Sequence, residues 1–160
     1  MKIGIYFSAL PHFAVQLAQR GAKALVLFNR FAEPDINIKT LRLRTTFSYS
    51  KKEEIHRPLK WIAILSDKVP CDLAGTTGVH NAEGMIKLLL AGAKAVQIAS
   101  LLYKSGIEEI AALLKEMENW MTEHQFNCID DFRGKLAFAK MKNPDVYLRA
   151  QFLEKIRGID

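Results

Sequence analysis

The chain has 160 residues, of which 49% are hydrophobic, and a formal net charge of +6 at pH 7. This length allows one domain with a substantial core but falls short of the roughly 250 residues of a closed eight-stranded α/β barrel. No apolar run approaches the roughly 20 residues that span a bilayer, and the opening residues lack a signal-peptide cleavage pattern. Two cysteines, Cys71 and Cys128, have neither the number nor the spacing of a disulfide framework or a zinc site. We therefore expect a cytoplasmic protein that binds no metal and no membrane.

The positive charge is scattered along the chain. Arg42 and Arg44 alternate with Leu41 and Leu43, the period-2 pattern of a half-buried strand with its charges facing water. No dense basic run is interleaved with aromatic residues, so the pattern favours a solvated face over a nucleic-acid surface.

Strands alternate with helices or loops through most of the chain. Five parallel strands are predicted at about residues 2–7, 24–28, 40–48, 71–75 and 95–99. A turn is predicted at residues 33–35, and the spacing of Ser105 and Glu108 predicts a capping box that begins the last barrel-type helix. The Gly-Ala-Lys-Ala sequence that precedes two of the strands, at residues 21–24 and 92–95, supports repeated βαβ units.

These units predict two regions. Residues 1–127 are expected to form a partial α/β barrel, the C-terminal half of a (β/α)8 barrel with its last five strand units. Residues 128–160 are expected to form a C-terminal helical extension that packs on the partial barrel, with a short helix at 128–138 and an amphipathic segment at 143–156.

Two neighbouring strand ends carry small and polar residues. One strand ends in Gly75-Thr76-Thr77-Gly78, where backbone N–H groups can approach an anion closely, and the next is followed by Ser100, whose hydroxyl can join them. In eight-stranded α/β barrels a phosphate site commonly forms from the loops after strands seven and eight. Residues 70–105 therefore predict a phosphate site in the closing segment of a barrel.

Several motifs together resemble the C-terminal half of the dihydroorotate dehydrogenase family, which are flavin-dependent α/β barrels. The motifs are the strand from Lys2 to Phe7, Leu27-Phe28-Asn29, Gly75-Thr-Thr-Gly78, Leu89-Leu-Ala-Gly-Ala93, Ala95-Val-Gln-Ile98 and Asp131-Phe-Arg-Gly-Lys-Leu136. The resemblance implies FMN as the cofactor, a small pyrimidine substrate, and oxidation of dihydroorotate to orotate in pyrimidine biosynthesis.

The resemblance also assigns site residues. It implies that Lys2 contacts the flavin ring, that the loops at Thr77-Gly78 and Ala99-Ser100 anchor its phosphate, and that Asn29 orients the substrate. Lys2 could instead be a solvated terminal residue, but the match of the next five residues favours the flavin role, whereas Asn29 could equally be a turn cap. The implied cofactor-binding residues are Lys2, Ser50, Thr77, Gly78, Ala99 and Ser100, and the implied substrate-binding residues are Asn29 and Arg30.

The chain departs from the family at several of these positions. Many members have a glycine pair in place of Thr77-Gly78 and Gly-Thr in place of Ala99-Ser100. A further glycine pair expected after the middle strand is absent, and Ser48 and Ser50 are the nearest candidates. Arg30 stands where many members have a small polar residue, so it could bind a substrate carboxylate or face solvent.

The resemblance implies that no catalytic residue lies in this chain, because the family's catalytic base comes from the first half of the barrel. His80 has no acid–base partner at a readable spacing and is predicted to start the helix after the phosphate loop. The isolated chain is expected to be inactive. Because an open parallel sheet exposes unpaired backbone groups, we expect a truncated or split-gene product that forms a homo-oligomer or pairs with a missing N-terminal half.

Two alternatives stay open. One is a non-catalytic module for binding a phosphate ligand or for assembly. The other is a different phosphate-binding barrel enzyme, of phosphosugar or thiamine-phosphate type. The absorbance spectrum of the purified protein would separate flavin-binding from flavin-free interpretations.

Overall fold

The computed structural model describes residues 1–46, 48–142 and 144, with the side chain of residue 46 left out. Strands and helices alternate through the described residues. The strands are β1 (Lys2–Ile3), β2 (Ala24–Leu27), β3 (Glu33–Asn37), β4 (Arg42–Thr46), β5 (Asp72–Thr76) and β6 (Ala95–Gln97). The α-helices are α1 (Leu10–Gln19), α2 (His56–Leu65), α3 (Ala82–Ala91), α4 (Ser100–Ser105) and α5 (Glu109–Glu123), and 3₁₀ turns cover Lys52–Ile55, Ile129–Asp131 and Phe138–Lys140.

Four strands form one parallel sheet in the order β1-β2-β5-β6. In its register Lys2 lies opposite Val26, and Leu27 lies opposite both Ile3 and Gly75. The sheet order follows the chain order with a helix between successive strands on each crossover, as in a (β/α)8 barrel. The predicted fold class, a half barrel, is confirmed, and within the described residues the sheet is open, since its outer strands β1 and β6 do not pair with each other.

The described residues contain four parallel strands, so the prediction of a fifth at residues 40–48 was wrong. That segment contains β4, which pairs antiparallel with β3 in a separate two-stranded hairpin. The predicted turn at residues 33–35 lies inside β3, and the hairpin turns later, where the Asn37 carboxamide accepts hydrogen bonds from the N–H groups of Lys39 and Thr40. Leu43 is 77% exposed, so β4 is exposed rather than half-buried, and alternation alone could not reveal this.

The main core lies between the sheet and the helices that connect its strands. Leu25 and Leu27 of β2 are fully buried, as are Leu10 of α1 and Ile62 and Leu65 of α2. Full burial of each such side chain contributes about 1.5–3 kcal/mol. This core fixes the positions of the strand ends that carry the candidate site.

The Asp131-to-Leu136 motif closes the end of α3. The N–H groups of Gly134 and Leu136 donate to the carbonyl oxygens of Leu89 and Leu90 in the last turn of the helix, both at 2.9 Å, and the Leu89 carbonyl also accepts from the N–H of Gly92. Phe132 is fully buried in a second cluster with residues of α3 and α5. The described part of the extension contains 3₁₀ turns rather than the predicted helix at 128–138. The predicted segment at 143–156 lies, apart from residue 144, outside the described residues.

The predicted capping box at Ser105 was wrong. Ser105 ends α4, Gly106 follows with a positive φ of 97°, and α5 begins only at Glu109 with no side-chain cap. The glycine terminates the first helix before the serine can begin a new one. None of the helices in the described part of the chain is long and apolar enough to cross a bilayer.

Candidate functional site

Because the strands of the main sheet are parallel, their carboxyl ends meet at one edge, and a cleft of about 130 Å³ lies there. All eight residues that the sequence assigned to the site line this cleft. Its lining residues are Lys2, Asn29, Arg30, Ser50, Thr76, Thr77, Gly78, Val79, Gln97, Ile98, Ala99 and Ser100. The fold therefore brings together residues that are up to 98 positions apart in the chain.

The Thr77-Gly78 turn has an unusual backbone. Both residues have a φ of 78°, a conformation that side chains disfavour by about 1–2 kcal/mol per residue. Thr77 is held there partly by its hydroxyl, which donates to the Phe28 carbonyl at 3.3 Å. Such strained positions persist only where the surrounding structure holds them in place. They cluster at ligand sites.

Glycine is required at position 78 by the closeness of its neighbours as well as by the backbone conformation. A Cβ atom at this position would lie 2.8 Å from the Cα atom of Ile55 and closer still to its backbone nitrogen. The 3₁₀ turn at Lys52–Ile55 thus packs directly on the glycine. This close approach leaves the small-residue turn at the wall of the cleft.

Two serines join the opposite wall through hydrogen bonds. Ser50 is 6% exposed, and its N–H and its hydroxyl both contact the Ser100 hydroxyl, at 2.9 and 3.0 Å. The Ser50 hydroxyl also lies 3.1 Å from Nε2 of His80. The segment that follows β4, the loop after β5 and the start of α4 are therefore linked by polar contacts.

His80 does not lie at the start of the helix, where the sequence pattern predicts it. It was predicted to start the helix, whereas α3 begins at Ala82 and is capped by Asn81, whose side chain accepts from the N–H of Gly84 at 3.0 Å. His80 instead reaches back to Ser50 from the loop after β5. The only signal in the sequence for a place of His80 beside the site is its position two residues after Gly78, at a strand end.

The cleft is positively charged. Its lining includes Lys2 and Arg30, and no carboxylate among the described residues lines it. Lys2 is exposed and forms no salt bridge within the described part of the chain. Arg30 is paired with Glu54, but an anionic ligand suits the combination of Lys2, hydroxyls and small residues better than a neutral or cationic one.

Arg30 is already held by neighbouring groups. Its Nε atom donates to Glu54 at 2.8 Å, and its two terminal nitrogens donate to the carbonyl and hydroxyl oxygens of Ser48. Burial would raise the pKa of Glu54, but the bonds from Arg30 and from the N–H of Lys51 outweigh it and hold that pKa below its usual value. Arg30 therefore has only its remaining terminal N–H groups for a ligand.

Asn29 occupies the end of β2. Its backbone N–H donates to the Ile3 carbonyl at 2.7 Å, and its half-buried side chain has no hydrogen-bond partner among the described residues. The carboxamide is therefore available both to donate and to accept. Neither Cys71 nor Cys128 lines the cleft.

A second cleft of about 180 Å³ continues along the same edge and shares Asn29, Arg30 and Thr77 with the first. In it the Tyr6 hydroxyl donates to Glu33 at 2.9 Å, a bond that raises the pKa of Tyr6. Both volumes fall below the roughly 300–1,000 Å³ of typical ligand sites. Each cleft alone is therefore too small for a ligand of cofactor size.

Comparison with curated proteins finds several dihydroorotate dehydrogenases. A putative dihydroorotate dehydrogenase A (fumarate) of Streptococcus uberis is 35% identical over 66 residues, which are 41% of this chain and 21% of that protein. The catalytic subunit of dihydroorotate dehydrogenase B (NAD(+)) of Pelobacter propionicus is 32% identical over 124 residues, which are 74% of this chain and 40% of that protein. The chain thus matches between about a fifth and two fifths of the length of these relatives. No protein-family profile matches it.

Solved structures of dihydroorotate dehydrogenase are similar to this chain in fold. Dihydroorotate dehydrogenase of Eimeria tenella without ligand superposes with a TM-score of 0.65 at 16% identity, over 83% of this chain and 38% of that one. The same enzyme in complex with ferulenol gives a TM-score of 0.61 at 16% identity, over 78% and 33% of the two chains. The half barrel therefore has the fold of part of these structures.

Proposed function

We propose, from the premise that this chain is related to the dihydroorotate dehydrogenases, that its strand-end cleft binds the phosphate of FMN. The chain would supply cofactor- and substrate-binding residues to an enzyme that oxidises dihydroorotate to orotate in pyrimidine biosynthesis. We further propose that the isolated chain does not turn over substrate, because no group with the role of a catalytic base is assigned within it.

The observation that carries the proposal is the cleft itself. The residues assigned to the site, from Lys2 to Ser100, line one small cavity with two cations and no carboxylate among the described residues. A turn at Thr77-Gly78 in which one residue must be glycine, beside two serine hydroxyls, suits the oxygens of a phosphate group. The donor set therefore fits the phosphate end of FMN.

The remaining residues have roles that follow from their chemistry. Bound FMN supplies the acceptor for a hydride from the substrate. Lys2 would place a cation beside the ring system and stabilise negative charge there, and Asn29 would donate to and accept from the carbonyl and imide edge of a pyrimidine. Arg30, restrained by Glu54 and Ser48, would offer its remaining N–H groups to the substrate carboxylate.

The partner of the open sheet stays a prediction. Within the described residues β1 and β6 each pair on one side only, and beside β6 the side chains of Tyr103 and Ile107 are 77% and 70% exposed. Apolar surface on α4 and on the link between α4 and α5 is thus uncovered among the described residues. A second copy of this chain, or a separate segment that provides the other strands, would cover these groups.

A non-catalytic phosphate-binding module is the second candidate function. It is favoured by the small volume of the cleft, which suits a phosphate group by itself. The two candidates differ in what they bind. A module would bind inorganic phosphate or a sugar phosphate as tightly as FMN, whereas the half barrel of a flavin enzyme would prefer FMN.

Titration of FMN fluorescence with the purified chain tests the proposal. We expect quenching that saturates for FMN, and weaker binding of riboflavin, which has the same ring system without the phosphate. Ser100→Ala should weaken FMN binding and leave riboflavin binding unchanged, and His12→Gln, an exposed change on α1, serves as the control. Equal affinity for FMN and riboflavin would contradict a phosphate site in this cleft.

A further inference from the structure

The hydrogen bonds around Ser50 form a chain that ends in the cleft. His80 Nε2 contacts the Ser50 hydroxyl at 3.1 Å, and that hydroxyl contacts the Ser100 hydroxyl at 3.0 Å. Ser100 also accepts from the N–H of Ser50 at 2.9 Å and lines the cleft, whereas His80 does not. A side chain outside the cleft is therefore connected to a hydroxyl that faces a ligand.

The protons in this series of hydrogen bonds have two arrangements, because each hydroxyl has one proton to donate. In the first, Nε2 of His80 donates to Ser50, Ser50 donates to Ser100, and the Ser100 proton is free for a ligand in the cleft. In the second, Ser100 donates to Ser50 and Ser50 donates to an unprotonated Nε2. Ser100 then has no proton left for a ligand.

We propose that His80 is a positioning residue that acts through Ser50 to turn the Ser100 hydroxyl into a donor toward a tetrahedral oxyanion in the cleft. The inference rests on the proposed phosphate site and adds a residue to it. When the imidazole is protonated, both ring nitrogens carry protons and only the first arrangement is possible. The cleft therefore binds an oxyanion more tightly at low pH than at high pH.

Among the described residues, the charged groups near this series of hydrogen bonds leave His80 without a carboxylate partner. On the 3₁₀ turn that packs against the loop, Glu54 pairs with Arg30, and Lys52 lies 3.5 Å from Glu83 of α3. Glu53 also belongs to that turn, and Lys2 faces the cleft from β1. Among the described residues, no carboxylate is hydrogen-bonded to His80. The side-chain hydrogen bond of His80 within the described residues therefore runs to Ser50 and not to an acid.

Sulfate is the probe for the test, because it is a tetrahedral dianion that does not titrate between pH 5.5 and pH 8. Calorimetric titrations of the full chain should give an affinity that falls by roughly fivefold over this range, the equivalent of one net hydrogen bond. His80→Gln and Ser50→Ala should each flatten the pH profile. His12→Gln, on the exposed face of α1, should leave the profile as it is in the unchanged chain.

Nuclear magnetic resonance of the His80 ring gives the reciprocal measurement. If His80 protonation favours sulfate binding, saturating sulfate must lower the acid dissociation constant of His80 by the same factor and so raise its titration midpoint. Simple charge attraction would raise the titration midpoint of His80 in Ser50→Ala as well, whereas the proposed hydrogen bonds from His80 to Ser100 require Ser50. A midpoint shift that survives in Ser50→Ala would therefore overturn the inference.

The outcomes separate this inference from the proposed function. Sulfate binding that depends on His80 and Ser50, without any FMN binding, would uphold the positioning role and remove the flavin assignment. FMN and sulfate binding with a flat pH profile would overturn the positioning role and leave the proposed function. Failure of sulfate to bind at any pH would overturn the positioning role directly.

Discussion

Gly78→Ala is the substitution that the structure predicts to damage the site most specifically. The added Cβ atom would lie 2.8 Å from the Cα atom of Ile55, on a backbone with φ of 78°. The backbone conformation costs alanine about 1–2 kcal/mol, and the overlap with the 3₁₀ turn about 1–3 kcal/mol more. Alanine lowers the entropy of the unfolded chain, which returns about 0.4–1 kcal/mol. We expect a net loss of about 3 kcal/mol in the free energy of unfolding.

Gly21→Ala is the matched control. Gly21 also has a positive φ, of 101°, but an added Cβ would meet no atom within 4 Å. It should cost only the backbone term less the same gain from the unfolded chain, a net of about 1 kcal/mol. Urea denaturation of both variants, followed by circular dichroism, measures the difference. Equal stabilities for the two variants would refute the close packing of the 3₁₀ turn on Gly78, and with it the shape of the cleft wall.

Three further predictions concern the core, the ion pair and the open sheet. Phe132→Ala should lower the free energy of unfolding by about 3–5 kcal/mol, because Phe132 is fully buried, whereas Ile38→Ala on the exposed hairpin should change it by less than about 0.5 kcal/mol. Since the folded pKa of Glu54 lies below its unfolded value of about 4.3, its contribution to stability is present above that pH and is lost as the pH falls through the folded pKa. Denaturation between pH 6 and pH 3 should therefore show a smaller acid loss for Glu54→Gln than for the unchanged chain or for Glu116→Gln. Size-exclusion chromatography with light scattering should find a dimer or larger species, and a stable monomer that does not aggregate would count against a covered sheet.

The parallel strands were predictable from local signals in the sequence, whereas the site residues were assigned from the resemblance to the dihydroorotate dehydrogenases. Continuous apolar strands and glycines at strand ends predict βαβ units, and parallel strands bring their carboxyl ends together. The residues from Lys2 to Ser100 therefore had to converge once the sheet was right. Thr77 and Ala99 were assigned despite departing from the family, since backbone donors do not depend on the side chain.

The errors arose where long-range packing decides the outcome. Alternating residues around Leu43 fit a half-buried strand, but the pairing of β4 with β3 depends on a turn at Asn37 that the Pro34 signal obscured. The spacing of Ser105 and Glu108 fits a capping box, but Gly106 ends the preceding helix between them. His80 was missed because its partner, Ser50, lies 30 positions away in the chain.

Mapping of backbone amide shifts on addition of FMN tests the central claim most directly, because it locates the phosphate as well as detecting binding. We predict that the amides of Thr77, Gly78, Ala99 and Ser100 shift on addition of FMN and shift much less with riboflavin. Shifts confined to other surfaces, or equal shifts with the two compounds, would contradict a phosphate site at this edge of the sheet.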